Sequence, residues 1–325
     1  MQKEISRRSF LKTSLIGGAA AASGLLLPEP SQASSSKALC TLFDLRKCIG
    51  CEACVKACRD INDHKFPVLE GSIPEKFPRN RVQIADWTSP ERRAVRNRLT
   101  PFNWLTIQTA AGSYSGKDFE LHIPRRCMHC HNAPCINLCP FGAAFAQRNG
   151  TVLFHPQICM GGGKCKDVCP WKIPERQSGV GSYLNVLPNF AGNGVMFKCD
   201  RCFDRVQLGE LPACVEACPL EVQRIGPRPE IVKRAHRLAE EIDGYIYGET
   251  ENGGTNTIYV SPIPFEVLNE TIAAGPGKPH LENVPDSMGI ANRLASALIA
   301  GPVIGALVAA LRLQSTSEES VGEEE

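Results

Sequence analysis

The chain has 325 residues, enough for one large or two small domains with a real core. Its 36 Lys plus Arg stand against 34 Asp plus Glu, and a net charge of +2 excludes a global field that would draw it to nucleic acid or to anionic substrates. Sixteen cysteines dominate the composition; an exported chain with an even count permits a disulfide framework, so their spacing has to decide.

The N-terminus reads "SRRSFLK", then the uncharged "TSLIGGAAAASGLLL" and "PEPSQA". Positive, apolar and small-residue regions in that order are those of an export signal, and Arg7-Arg8 with Phe10, Leu11 and Lys12 resembles the twin-arginine class. Residues 1–33 are therefore read as a signal peptide cleaved after Ala33 and handled by the twin-arginine translocase. That route carries folded cargo, which suits metal clusters built on reduced thiolates in the cytoplasm before export.

Four cysteine groups follow. The first, "CIGCEACVKAC", holds Cys48, Cys51, Cys54 and Cys58. A Pro- and Arg-rich stretch over residues 59–99 reads as surface loop, its Arg92, Arg93, Arg96 and Arg98 either solvated or free to dock a partner, and "NWLTIQTA" alternates like a short strand. The second group, "CMHCHNAPCINLCP", holds Cys127, Cys130, Cys135 and Cys139; the third, "ICMGGGKCKDVCP", holds Cys159, Cys165 and Cys169, with Gly162 where a second cysteine belongs. The fourth, "CDRCFDRVQLGELPACVEACP", holds Cys199, Cys202, Cys214 and Cys218. After it Ile231, Ala235, Leu238 and Ile242 recur at helical spacing, and "TIYVS" alternates like a strand.

Ferredoxin-type runs read C-x2-C-x2-C-x3-C-P, three cysteines turning onto one cubane and the fourth, one helical turn later, pointing to a second. One C-x2-C pair alone would fit zinc equally well, but four groups in one chain, three of them ending Cys-Pro, argue against zinc and against disulfides. Because the fourth cysteine is shared, groups work in pairs. Nineteen residues separate Cys139 from Cys159, against 68 between Cys58 and Cys127 and 29 between Cys169 and Cys199, so groups two and three pair and leave one with four. The expectation is an α+β fold of two nested bacterial (4Fe-4S) ferredoxin-like units with loop insertions: an outer unit near 38–70 and 195–228 around an inner one near 120–175, within a domain of residues 34–285. Cys48, Cys51, Cys54 and Cys218 would hold one cluster, and Cys199, Cys202, Cys214 and Cys58 its neighbour. In the inner unit Cys127, Cys130, Cys135 and Cys169 would hold the third, and Cys159, Cys165 and Cys139 an incomplete one. Gly162 is a substitution and not a deletion, so one iron alone loses its ligand; three 4Fe-4S clusters and one 3Fe-4S cluster are expected, against a fourth cubane capped by water or another group, or no cluster there.

Smaller features carry less. "GGGKC" lacks the spacing of a phosphate loop. His129 and His131 read as packing or as hydrogen-bonding neighbours of a cluster, and Lys172 and Lys198 either raise a cluster's potential or are solvated. Cys40 belongs to no group and reads as a buried strand cysteine. No nucleophile-base pair, dinucleotide fingerprint or paired carboxylates suggest substrate chemistry of the chain's own.

Residues 286–314 read as a membrane anchor. Its core, 294–311, is an uncharged run of 18 residues between Arg293 and Arg312, about 27 Å as a helix and so long enough to span once. Ala297, Gly301, Gly305 and Ala309 recur every fourth residue, a smooth face against which a partner's helix can pack. The acidic tail, residues 315–325, would then lie in the cytoplasm and the body on the periplasmic face of the membrane.

With these groups in order, "CIGCEACVKACRDIN", "RRCMHCHNAPCINLCP" and "LPACVEACP" resemble the four-cluster iron-sulfur subunits of the complex iron-sulfur molybdoenzyme and hydrogenase families. A signal of its own, a single C-terminal helix and "ENGGTNTIYVSPIPFEVL" are most similar to the branch serving the periplasm-facing nickel-iron hydrogenase 2. The resemblance implies a non-catalytic relay between a catalytic oxidoreductase subunit, here a nickel-iron hydrogenase, and a quinone-reactive integral membrane subunit. Formate dehydrogenase or another molybdoenzyme reductase is the alternative partner. The family pattern is broken at Gly162, where hydrogenase-type relatives usually carry cysteine and nitrate reductase beta subunits carry Trp and a three-iron cluster.

Overall fold

The computed structural model describes residues 38–69, 71–73, 84–186, 194–289, 291, 294, 297–298, 300–302 and 305. The chain divides into a body, Ser34–Pro285, and a second unit made of Met1–Ala33 and Asp286–Glu325.

Among the described residues ten strands run through the body: β1 (Leu39–Asp44), β2 (Thr106–Tyr114), β3 (Lys117–Arg125), β4 (Ala144–Ala146), β5 (Val152–Phe154), β6 (Glu175–Ser178), β7 (Gly194–Phe197), β8 (Gln223–Pro227), β9 (Tyr245–Tyr247) and β10 (Thr257–Ser261). Four of them form one sheet in the order β8-β1-β10-β9, in which β1 runs parallel to β10 and antiparallel to β8. The others pair as hairpins, β2 with β3, β4 with β5 and β6 with β7. "TIYVS" is β10 throughout, buried at every position, while the strand expected at "NWLTIQTA" starts only at Thr106 and runs on to Tyr114. Trp104 precedes it because its indole N–H caps the Pro101 carbonyl at 2.8 Å in a turn.

The helix Arg228–Ile242 carries Pro229 in its first turn, which its ring suits, and is followed by Asp243 in a left-handed conformation. Ile231, Ala235 and Ala239 are buried from it against Cys40, Leu42, Ile258 and Val260, a small core behind the sheet. Cys40 is fully buried in β1 within this layer, as a lone strand cysteine should be. The larger core lies on the other side and gathers the cysteine groups with Phe43, Trp104, Trp171, Phe197 and Tyr259. In the arginine-rich connection, Arg93 lies 4.7 Å over the Phe102 ring, and Arg92 donates to the Asp86 carbonyl at 2.5 Å.

The second unit is described at isolated helical positions. Ala297, Gly301 and Gly305 are buried and Leu294 and Leu298 exposed, while Ala309 and most of the expected anchor, 294–311, lie outside the described residues. Among the described residues no helix is long and apolar enough to cross a membrane.

Ile258 is fully buried where the helix meets the sheet. Ile258→Ala should cost about 2–5 kcal/mol, seen as a melting temperature lower by several degrees; an unchanged melting temperature would show that this seam does not hold the sheet.

Candidate metal centres

All four cysteine groups are built on one local plan. The residue just before the second ligand position is left-handed in each: Gly50 (φ 70°), His129 (φ 49°), Gly161 (φ 63°) and Arg201 (φ 59°). The turn reverses the chain so that both sulfurs face inward, and it is paid in backbone strain wherever the residue is not glycine. The cysteine at the third ligand position of every group is the second residue of a helix: Cys54 in Ala53–Asn62, Cys135 in Pro134–Asn137, Cys165 in Lys164–Val168 and Cys214 in Ala213–Glu216. The free N–H groups and positive end of a helix dipole therefore lie at the sulfur, where negative charge is favoured. Further N–H groups reach sulfur directly: His129 to Cys127 at 3.5 Å, Met196 to Cys159 at 3.4 Å, Arg201 to Cys199 at 3.3 Å and Val222 to Cys218 at 3.3 Å.

The sulfurs gather in four sets. Burial and then the fields of Cys214, Cys48, Cys218 and Cys51 push the Cys54 thiol up. Cys48, Cys51, Cys54 and Cys218 line one small cavity together with Ile107, Pro124 and Val222. Burial, Cys199, Cys214 and Cys202 push Cys58 up in the same way. Cys130 is raised by burial and by Cys169, Cys127 and Cys135, and these four line a second small cavity against Trp171 and Ile173. Cys165 is pushed up to about 12 by burial, Cys159, Cys139 and Cys169. Three of the sets thus bring three cysteines of one group near the fourth of another, and the last brings Cys159 and Cys165 near Cys139. Each cavity is lined by four cysteines, and among the described residues no three His, Cys, Asp or Glu side chains converge tightly enough for a single metal ion. A ring of sulfurs around a space, supplied with N–H donors, is the donor set of a polynuclear iron-sulfur centre.

The sets also lie within electrostatic reach of one another. Cys54 feels Cys214, Cys199 feels Cys127, and Cys135 feels Cys165. The row therefore runs from the Cys48 set through the Cys58 set and the Cys127 set to the Cys159 set. Its ends are the exposed parts: Cys51 and Gly162 are exposed, whereas Cys58, Cys127, Cys199, Cys202 and Cys214 are buried. Exposed apolar side chains stand in sequence beside both ends, Ile49 and Leu220 near the first, Leu138 and Ile158 near the last.

Gly162 keeps the backbone of a ligand position. Gly161 and Gly163 flank it with φ of 63° and 75°, as Gly50 and Glu52, with φ of 70° and 57°, flank Cys51. A side chain at Gly162 would meet nothing within 4 Å, but one at Gly161 would lie 2.1 Å from the Gly194 backbone nitrogen.

Of the residues flagged as neighbours, His129 is fully buried and its Nδ1 accepts the Val152 N–H at 3.0 Å, which leaves the proton on Nε2. His131 packs on Asn256, 3.1 Å away. Lys198 is buried, donating to the Val152 and Cys199 carbonyls at 2.6 and 3.1 Å, whereas Lys172 is exposed and bonds the Asp167 carbonyl. Sequence reasoning passed over Arg126: it is buried, and its Nη1 lies 3.7 Å from Cys214 Sγ and 3.9 Å from Cys199 Sγ. Its one signal was position, directly before Cys127 in "RRCMHC". Asn62 was missed likewise; its amide lies 3.8 Å from Cys58 Sγ.

Comparison with known proteins shows iron-sulfur domains in this chain. Residues 47–143 and 119–228 each match a 4Fe-4S dicluster domain, and residues 4–24 match a TAT (twin-arginine translocation) pathway signal sequence. The chain is 28% identical to the Hydrogenase-2 operon protein HybA of Escherichia coli O157:H7 over 82% of its own length and 83% of that protein. It is 33% identical to the thiosulfate reductase electron transfer subunit PhsB of Salmonella typhi over 57% of this chain and 73% of PhsB. To the iron-sulfur subunit of the nitrate-inducible formate dehydrogenase of Escherichia coli K12 it is 30% identical over 71% of each chain. The chain spans about half, 56%, of a further matching protein from Nitratidesulfovibrio vulgaris.

Because Gly161 is packed against backbone and Gly162 is not, Gly162→Ala should assemble like the unaltered protein while Gly161→Ala should lose iron from the third group and melt earlier. Equal iron content in the two variants would contradict this reading of the loop.

Proposed function

Because the chain belongs to the family of exported iron-sulfur electron-transfer subunits that includes HybA, PhsB and the formate dehydrogenase iron-sulfur subunits, we propose that it relays electrons along four clusters in one row. The observation that carries this reading is the four sets of sulfurs within electrostatic reach of one another in sequence, with an exposed ligand position, Cys51 or Gly162, in each end set. Cys48, Cys51, Cys54 and Cys218 would hold the first cluster, Cys199, Cys202, Cys214 and Cys58 the second, and Cys127, Cys130, Cys135 and Cys169 the third. Cys159, Cys165 and Cys139 would hold the last, a 3Fe-4S centre lacking the iron that faces Gly162. When bound, such clusters accept and release single electrons at potentials set by charge, hydrogen bonds to sulfur and burial. The protein's own part is to keep the middle of the row dry with Trp171, Ile173 and Phe197, to fix the sulfurs with backbone N–H groups, and to leave each end accessible.

Catalysis would belong to a partner. A periplasm-facing nickel-iron hydrogenase is the first choice, supported by the 83% coverage of HybA, with a quinone-reactive integral membrane protein at the other end of the row. The higher identities to PhsB and to the formate dehydrogenase subunit favour a molybdoenzyme as second reading. The uncharged run 294–311 would hold the protein on the periplasmic face, with residues 315–325 in the cytoplasm.

Purified protein should contain iron and acid-labile sulfide in place of zinc, and electron paramagnetic resonance after oxidation should show a three-iron signal that Gly162→Cys abolishes while adding iron. Absence of that signal in the unaltered protein would defeat the three-iron assignment; zinc without sulfide would defeat the relay. Ending the chain at residue 293 should move it from the membrane fraction to the soluble periplasm, unless a partner holds it there, in which case a salt wash releases it.

A further inference from the structure

The junction between the Cys58 and Cys127 sets is crowded with positive charge. Arg126, Arg201 and Lys198 are all buried there, and among the described residues none of them pairs with a carboxylate; Asp200, the nearest in sequence, is taken by Lys65 at 2.7 Å. Buried cations without partners are costly, so this cluster needs a compensating negative charge. Arg201 has found neutral partners, the Leu39 and Asn256 carbonyls at 2.6 and 2.8 Å, and Lys198 likewise bonds carbonyls. Arg126 differs. Its only polar contacts among the described residues are the Cys199 and Cys214 sulfurs, its Nε and Nη2 have no partner, and its guanidinium sits 5.3 Å over the Phe43 ring. A fixed cation aimed at two of four sulfurs, in a dry interior, has little else to act on than the centre those sulfurs hold.

We propose that Arg126 sets the reduction potential of the centre held by Cys199, Cys202, Cys214 and Cys58, raising it through its buried charge and its N–H contacts to two of the ligand sulfurs. Reduction adds one electron, and so one negative charge, to the centre, and hands it on without bond making or breaking; a nearby fixed cation favours the reduced side. The proposal rests on the four-cluster reading and extends it, giving the second position in the row a higher potential than its sulfurs alone would confer. Arg126 is a tuning residue and makes no contact with a partner's substrate.

Redox titration of the whole protein, followed by electron paramagnetic resonance, tests this. In Arg126→Met one low-field component should titrate at more negative potential while the other signals hold, and Arg126→Lys, which keeps the charge, should restore most of the shift. A Met variant with full iron and sulfide content and unshifted titration would overturn the proposal. If Met prevents assembly, the unaltered protein labelled with guanidino nitrogen-15 arginine decides. Spin-echo spectroscopy of the reduced centre should then show coupling to guanidinium nitrogen, and its absence would overturn the proposal. Failure of the relay reading looks different: the unaltered protein would contain no cluster at all.

Discussion

The crowding of cysteine sulfurs in a dry interior is the constraint to which the remaining structure answers. Burial and the mutual repulsion of neighbouring thiolates push Cys54, Cys58, Cys130 and Cys165 above the ordinary thiol range. Iron reverses the balance because it binds the thiolate and brings positive charge with it, so protons leave as metal arrives and loading is coupled to folding. The left-handed turns before each second ligand, the helix starts at each third and the N–H groups on sulfur all serve that one end. They hold acceptor-rich sulfur in place where water cannot.

The same crowding explains why the interior tolerates Arg126, Arg201 and Lys198. In an apolar core each would be strongly unfavourable; beside fifteen cysteines in four sets they are counter-charges. Their concentration at the middle of the row, and the exposure of Cys51 and Gly162 at its ends, divide the body electrically into a buried cationic centre and two accessible termini.

Much of this was legible in the chain. The proposed exchange of fourth cysteines rests on the lengths 19, 29 and 68 between groups, because a shared ligand favours a short connection. The helix Arg228–Ile242 announced itself through Ile231, Ala235, Leu238 and Ile242. Other features were not legible, for physical reasons. Lys172 and Lys198 look alike in sequence, each beside a cysteine, and only the fold buries one and exposes the other. Arg126 was hidden because a charge directly before a cysteine run is ordinary on a surface, and its burial depends on β1 bringing Phe43 over it. The parallel pairing of β1 with β10 joins residues more than two hundred positions apart, which no local pattern encodes.

Borrowed ligands also impose an order in time. If Cys218 completes the set begun by Cys48, Cys51 and Cys54, the first three wait on the ribosome while the 170 residues from Cys48 to Cys218 are made. At about 5–20 residues per second that interval is on the order of 10–30 s. The export signal, at residues 4–24, emerges before any of them. The address is thus legible well before the cargo is complete, and any machinery that reads it early must be restrained until the last cysteine has been translated and closed onto its cluster.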